Sequence, residues 1–330
     1  MSEKNNLKAL ALFSGGLDSI LSVELIRKQD IKVIPIFFES PFFKADKVKN
    51  IAKKLGWKVF IEELKEQYLK IVENPDFGYG KNINPCIDCH AFMFKRLGDM
   101  LSDFEADFLI SGEVLGQRPK SQNKVPLATV SNASGYKDLI VRPLSQKLLP
   151  DTKPIREGWL DKEKLLDIKG RSRKRQQRLA KEYGIENYLS TGGGCSLTDK
   201  HFCRRVQDLM DHDMWSYKYV KFLTWGRHFR LDENTKLVLG RDEQENTELS
   251  KLLDEETITF KASEFTGPLG ILFSKGDIEE KIYRLSAGIL LRYITEAEGE
   301  CTVNFYRGGN KFLSVEVKKM KDRKSRKYLL

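Results

Sequence analysis

Two groups of residues in this chain have the chemistry to act on a substrate. The first is the run Ser14-Gly15-Gly16-Leu17-Asp18-Ser19, which joins an apolar stretch to a helical one. Paired glycines let backbone N–H groups come close to an anion, and a helix N-terminus behind them adds a favourable dipole. Ser14 and Ser19 can donate to phosphate oxygens, while Asp18 can hold Mg²⁺ directly or through water. The turn lacks the Gly-Lys-Ser/Thr ending of a Walker A loop and is not GxGxxG. The second group is thiols. Cys86 and Cys89 lie in NPCIDCH, and Cys195 follows Gly192, Gly193 and Gly194. Five cysteines in 330 residues are too few, and odd in number, for a disulfide scaffold. In a reducing compartment a Cys-x-x-Cys pair serves metal binding or redox chemistry. Thiols at a helix N-terminus have a lowered pKa, which suits ligation or nucleophilic attack.

These groups need elements to place them. KALALF (8–13), KVIPIFF (32–38), VFIEEL (59–64) and DFLIS (107–111) read as strands. Helical periods fall over 19–28, 44–55 and 89–104, so strands and helices alternate. That order predicts an α/β domain, a Rossmann-like parallel sheet covered on both faces, with ligands beyond the carboxyl ends of its strands. Near residue 210 the pattern changes to short strands (KLVLG, TITFK), a helix around 280–297, and the strands CTVNFY and KFLSVEV. Gly308 and Gly309 supply the positive φ for a tight hairpin between the last two. A smaller α+β domain is expected there, with domains over 1–212 and 213–330.

Charge adds a partner. The chain carries a net +10, and residues 169–181 alone hold seven Lys or Arg and no acid. The tail 311–330 is also basic, with eight Lys or Arg against two acids. Charge gathered in this way suits a polyanion. The start lacks the layout of a signal peptide, and no apolar run approaches the roughly 20 residues that span a bilayer. A cytoplasmic protein without a membrane partner is expected.

The six-residue turn matches the SGGxDS signature of PP-loop ATP pyrophosphatases, in the strand–turn–helix setting that family uses. Such enzymes cleave ATP between the α and β phosphates and transfer AMP to a carbonyl oxygen. With NPCxxCH, SGEVLGQ (111–117), VRPL (141–144) and a glycine-preceded cysteine, the chain resembles tRNA thiolation enzymes, 4-thiouridine synthetases in particular. The resemblance implies ATP and Mg²⁺ at Ser14, Gly15, Gly16, Asp18, Ser19, Gly112, Glu113 and Gln117. It further implies a 4Fe-4S cluster on Cys86, Cys89 and Cys195, which with Asp18 form the catalytic set. Two other uses of the thiols stay open: a zinc site completed by His90 or Cys203, and a persulfide relay without a metal.

Lys169, Arg171, Arg173, Lys174, Arg175 and Arg178 are then expected to hold tRNA phosphates. The segment TWGRHFRLDENTKLVLGRDEQENTEL (224–249) resembles the RNA-binding module of NFACT proteins, whose GRH and GR(N/D)xxEN elements it shares. This adds Arg227 and His228 to the RNA-binding set. The departure from 4-thiouridine synthetases is the lack of a THUMP-type domain before the PP-loop and of a rhodanese domain after it. The expected reaction is adenylation of a uridine carbonyl followed by replacement of oxygen with sulfur, 4-thiouridine being favoured over 2-thiouridine. Sulfide or a persulfide carrier would donate the sulfur, and a homodimer is in keeping with the group. Two rival readings are a PP-loop enzyme acting on a small molecule, and an RNA-binding adaptor with a vestigial PP-loop.

Overall fold

A computed structural model describes residues 6–118, 120–189 and 195–330. The chain divides into two compact units, 1–198 and 199–330.

The first unit is built on a five-stranded parallel sheet in the order β3-β2-β1-β4-β5. Its strands are β1 (Lys8–Leu12), β2 (Lys32–Glu39), β3 (Phe60–Glu63), β4 (Phe108–Ser111) and β5 (Ile140–Val141). The crossovers carry α1 (Leu17–Arg27), α2 (Asp46–Leu55), α3 (Glu66–Glu73), α4 (Cys86–Asp99) and α5 (Lys124–Ser134), followed by α6 (Lys153–Arg156) and α7 (Lys174–Glu182). Strand residues such as Ala9, Leu10, Phe108 and Leu109 are wholly buried, because helices cover both faces of the sheet. Strand order reverses between β1 and its neighbour β4, where Leu12 registers with Ser111. The loops leaving these two strands therefore flank the crevice in which such sheets bind ligands.

Helix α4 begins three residues earlier than its apolar period suggests, at Cys86 directly after Pro85. Proline suits a helix start because it lacks an N–H that would go unpaired there. Both thiols of Cys-x-x-Cys thus lie in the first turn.

The second unit opens with α8 (Lys200–Asp211) and α9 (Tyr217–Val220). Its six-stranded antiparallel sheet runs β11-β10-β8-β9-β7-β6. The strands are β6 (Arg227–Arg230), β7 (Thr235–Leu239), β8 (Ile258–Ala262), β9 (Gly270–Ser274), β10 (Glu300–Arg307) and β11 (Asn310–Lys318). Helices α10 (Glu243–Ser250), α11 (Glu280–Leu291) and α12 (Asp322–Ser325) complete it. The hairpin glycines adopt positive φ as expected, 54° at Gly308 and 79° at Gly309. The units join before α8, rather than after it near residue 212. Asp208 of α8 explains the difference: its carboxylate meets Arg230 at 2.9 and 2.7 Å and also binds the buried Lys236, tying α8 to the strands of the second unit.

Candidate functional site

The turn after β1 is held open by its own polar groups. Gly15 takes φ +70°, which an L side chain resists, and Gly16 stands at the N-cap of α1. Ser19 Oγ donates to the Gly16 carbonyl at 2.8 Å and lies 3.2 Å from Ser14 Oγ. Asp18 Oδ2 accepts from Gln117 Nε2 at 2.8 Å and from Arg173 at 3.1 Å. Asp18 Oδ1 is buried and has no hydrogen-bond partner. An orphaned carboxylate oxygen beside an anion-binding turn fits a Mg²⁺ ligand, since hard cations take oxygen donors.

Gly112 is the point where β4 meets this turn. A Cβ there would sit 2.5 Å from Ser19 N and 2.7 Å from the Asp18 carbonyl carbon, both backbone atoms that cannot yield. Gly112 thus serves the turn by letting the chain pass against it.

Glu113, the next residue, is buried and faces the other way. Its Oε1 lies 2.8 Å from His90 Nδ1, and its Oε2 accepts from Arg142 Nε at 2.9 Å and from Ser111 Oγ at 3.2 Å. Burial alone would raise its pKa, but Arg142 and His90 overcome that and bring it down to about 2. With both oxygens committed, Glu113 is a bracing group rather than the nucleotide or Mg²⁺ contact expected from its motif. Arg142 comes from VRPL, and it also donates to Ser131 Oγ and the Leu127 carbonyl. Since His90 follows Cys89 directly, the Gly112-Glu113 dipeptide touches the phosphate turn on one side and the thiol helix on the other.

One thiol meets Tyr68 directly. The Tyr68 hydroxyl donates to Cys89 Sγ at 3.1 Å, and burial above all, then the charges of Cys89, Cys195 and Cys86, raise the Tyr68 pKa well above its ordinary value of 10. Phe42, Phe43 and Phe92 surround the Tyr68 ring at centroid distances of 6.0, 5.7 and 6.0 Å. Burial pushes the Cys89 thiol far up, and Cys195 acts on it in the same direction. The Cys86 thiol donates to Asn84 Oδ1 at 2.9 Å; burial raises its pKa too, while Arg118 and Lys120 pull it down. Two described residues near Cys195 are anchored, Leu189 to the turn after β1 and Ser196, directly after the cysteine, to Phe42. Leu189 N donates to the Gly15 carbonyl at 2.8 Å, and Ser196 N to the Phe42 carbonyl at 3.1 Å. Gly192, Gly193 and Gly194 lie outside the described residues. None of the five cysteines is joined in a disulfide. Among the described residues no three His, Cys, Asp or Glu stand close enough to hold a metal ion. His90, one of the two candidates for a fourth ligand in the alternative zinc site, has its Nδ1 engaged by Glu113.

The basic run divides. Arg173 turns inward to Asp18, and the fully buried Gln176 extends the same network to Gln117 at 3.3 Å. Lys169, Arg171, Lys174, Arg175 and Arg178 stay exposed. Arg175 pairs with Asp167 at 2.8 Å, whereas Lys174 and Arg178 line a concavity with Lys181 and Tyr188. Gln176 went unread in the sequence because the charges around it dominate that stretch.

In the second unit the shared motif residues knit the fold. Glu245 accepts from Gly226 N at 3.2 Å and from Arg241, and Asp242 caps α10 by accepting from Glu245 N at 2.9 Å. His228, read as an RNA contact, is 1% exposed, with Nε2 donating to the Trp225 carbonyl at 2.8 Å. Burial, then the nearby Lys236 and Arg205 charges, lower its pKa well below 6.5, so it carries no charge for a phosphate. Arg227 remains partly exposed, its guanidinium 4.4 Å from the Tyr293 ring centroid.

With this geometry in place, likeness to known proteins falls into a clear class. Residues 226–329 match the family model described as NFACT protein RNA binding domain, and the chain is similar to tRNA sulfurtransferases. A probable tRNA sulfurtransferase of Thermococcus kodakarensis is 31% identical over 166 residues, 49% of this chain and 39% of that protein. Another, from Acholeplasma laidlawii, is 31% identical over 42% of this chain and 34% of its own length. The tRNA-specific 2-thiouridylase MnmA of Ligilactobacillus salivarius is 21% identical over 70% of this chain and 63% of its own length. The matched part thus spans well under half of either sulfurtransferase. No helix among the described residues is long and apolar enough to cross a membrane.

Proposed function

We propose that this protein is an ATP-dependent tRNA-uridine sulfurtransferase. The observation that carries the reading is the Gly112-Glu113 bridge: one dipeptide lies against the phosphate turn and, through His90, braces the helix that bears Cys86 and Cys89. Phosphate chemistry and sulfur chemistry on two coupled loops are what thiolation requires.

A uridine carbonyl oxygen is a poor leaving group. In the first step that oxygen attacks the α-phosphate of ATP and pyrophosphate departs, leaving an AMP ester on the base. The Gly15-Gly16 backbone and the hydroxyls of Ser14 and Ser19 hold the phosphates, while Asp18 Oδ1 would hold Mg²⁺, which would neutralise phosphate charge. Arg173, beside Asp18, is placed to take up phosphate charge at the same turn. In the second step a sulfur nucleophile adds to the ring carbon and AMP leaves with the oxygen.

Cys86, Cys89 and Cys195 would hold a 4Fe-4S cluster, a fit supported by three thiols outside any disulfide, of which the buried Cys89 meets Tyr68 beside Phe42 and Phe43. Such a cluster, when bound, supplies an iron without a protein ligand, on which inorganic sulfide is activated. The exposed cations of 169–178 and the NFACT-like unit serve to hold the RNA phosphates. Four-thiouridine is the favoured product. The decisive experiment incubates the purified, reconstituted protein with unmodified tRNA, ATP and sulfide. AMP should form together with a thiouridine seen by nucleoside mass spectrometry, and AMP without any thionucleoside would refute the assignment.

A further inference from the structure

The loop 75–84, between α3 and α4, has no part in the chemistry above, yet it is tied to the thiol site at three places. Phe77 N donates to both Asp88 oxygens at 3.2 and 3.3 Å, and Asp88 lies between Cys86 and Cys89. Gly80 N donates to the carbonyl of Asn84, whose side chain holds Cys86 Sγ, at 2.7 Å. Asn82 Nδ2 donates at 2.8 Å to the Thr198 carbonyl, at the end of the segment that carries Cys195.

A loop this firmly tethered still leaves two large rings in solvent, Phe77 at 47% exposure and Tyr79 at 45%. Tyr79 is fixed by its hydroxyl, which donates to the Val72 and Glu73 carbonyls at 2.8 and 2.9 Å. Cations border the rings. Lys81 is exposed in the loop itself, and the Lys120 side chain comes within 4.0 Å of a Cβ placed on Gly80. Exposed aromatic faces with a cationic margin suit unpaired nucleotides, whose bases stack while their phosphates meet Lys and Arg.

Resting on the function proposed above, we infer that Phe77, Tyr79, Lys81 and Lys120 form a stacking platform. It binds an unpaired segment of the RNA substrate at the mouth of the thiol site. The platform orients a splayed-out strand beside the sulfur centre, a task the phosphate-holding cations of 169–178 cannot perform because they read only backbone charge.

The test measures, by fluorescence anisotropy, binding of a short RNA hairpin with an unpaired loop and of a blunt RNA duplex of equal length. The double variant Phe77→Ala/Tyr79→Ala should weaken hairpin binding about tenfold or more, leave the duplex nearly unaffected, and keep the salt slope. Lys81→Ala/Lys120→Ala should lower that slope by about two. Tyr79→Phe, which retains the ring, should bind the hairpin almost as the parent does, and unchanged ATP binding in every variant verifies folding. Wild-type hairpin affinity in the alanine pair, or equal loss on hairpin and duplex, overturns the platform. Intact RNA binding with loss of sulfur transfer only from a protein carrier also overturns it, and assigns the rings to that protein. If the parent protein binds neither RNA, the sulfurtransferase reading falls as well; thiolation that persists with unaltered affinity in the alanine pair defeats the platform alone.

Discussion

Glu113 Oε2 and Arg142 Nε lie 2.9 Å apart where both side chains are almost wholly withdrawn from water. His90 completes the bracing on the other carboxylate oxygen. A buried charge held in this way is expensive to break, and it sits between the phosphate turn and the thiol helix.

Acid should therefore weaken the first unit. The folded Glu113 titrates at about 2 against an ordinary 4.5, so its stabilisation is complete above about pH 4.5 and is lost as pH falls towards 2. The loss amounts to about 3 kcal/mol. Glu113→Ala should remove a similar amount at neutral pH by leaving Arg142 uncompensated, roughly 3–5 kcal/mol. Urea denaturation of parent and variant at pH 7 and pH 3 checks both values, since the gap between them should narrow in acid.

Arg173 and Arg175 stand two positions apart but should behave differently. Arg173→Ala removes the partner of Asp18 and should slow AMP formation at least tenfold. Arg175→Ala breaks an exposed pair with Asp167, worth about 0–1 kcal/mol, and should weaken tRNA binding while leaving AMP formation at saturating tRNA unchanged. Asp18→Asn should abolish AMP formation to below about 1% of the parent rate by withdrawing the metal ligand. Radiolabelled AMP release compares all three variants.

Gly112→Ala tests the contact between β4 and the phosphate turn. Its added carbon meets backbone at 2.5 Å, so overpacking of about 1–3 kcal/mol and a tenfold or greater loss of ATP affinity are expected. Calorimetric ATP titration at matched fraction folded separates the local effect from general instability.

Replacing Cys86, Cys89 or Cys195 by Ser should eliminate thiouridine while leaving AMP formation within about threefold of the parent. The same substitutions should lower the iron content of anaerobically reconstituted protein, measured alongside its broad visible absorbance. Full thiolation by a zinc-loaded, iron-free sample would replace the cluster with one of the other two thiol chemistries.

Much of this architecture was legible in the residues. The glycine turn, the alternation of the first unit and the Gly308-Gly309 hairpin follow from local rules: positive φ, apolar period and short turns. Strands β6 and β9 were missed because RHFR mixes charge with apolar residues and GILFS is a short apolar run without alternation. Glu113 and His228 were misjudged for one shared reason. A polar residue in a functional motif reads as exposed, and only the packed fold reveals that Arg142 or Trp225 has already engaged it. Tyr68 carries no motif at all, yet its hydroxyl holds the Cys89 thiol. Its role depends on contacts between distant segments, which no local pattern encodes.

The Tyr68 hydroxyl bond also predicts an order of chemical vulnerability. Cys89 is sheltered behind a phenol that donates to its sulfur, whereas Cys86, half open to water, feels the cations at 118 and 120. Alkylating reagents and air should therefore reach Cys86 well before Cys89, and a sample aged on the bench should lose its first-turn thiols one at a time.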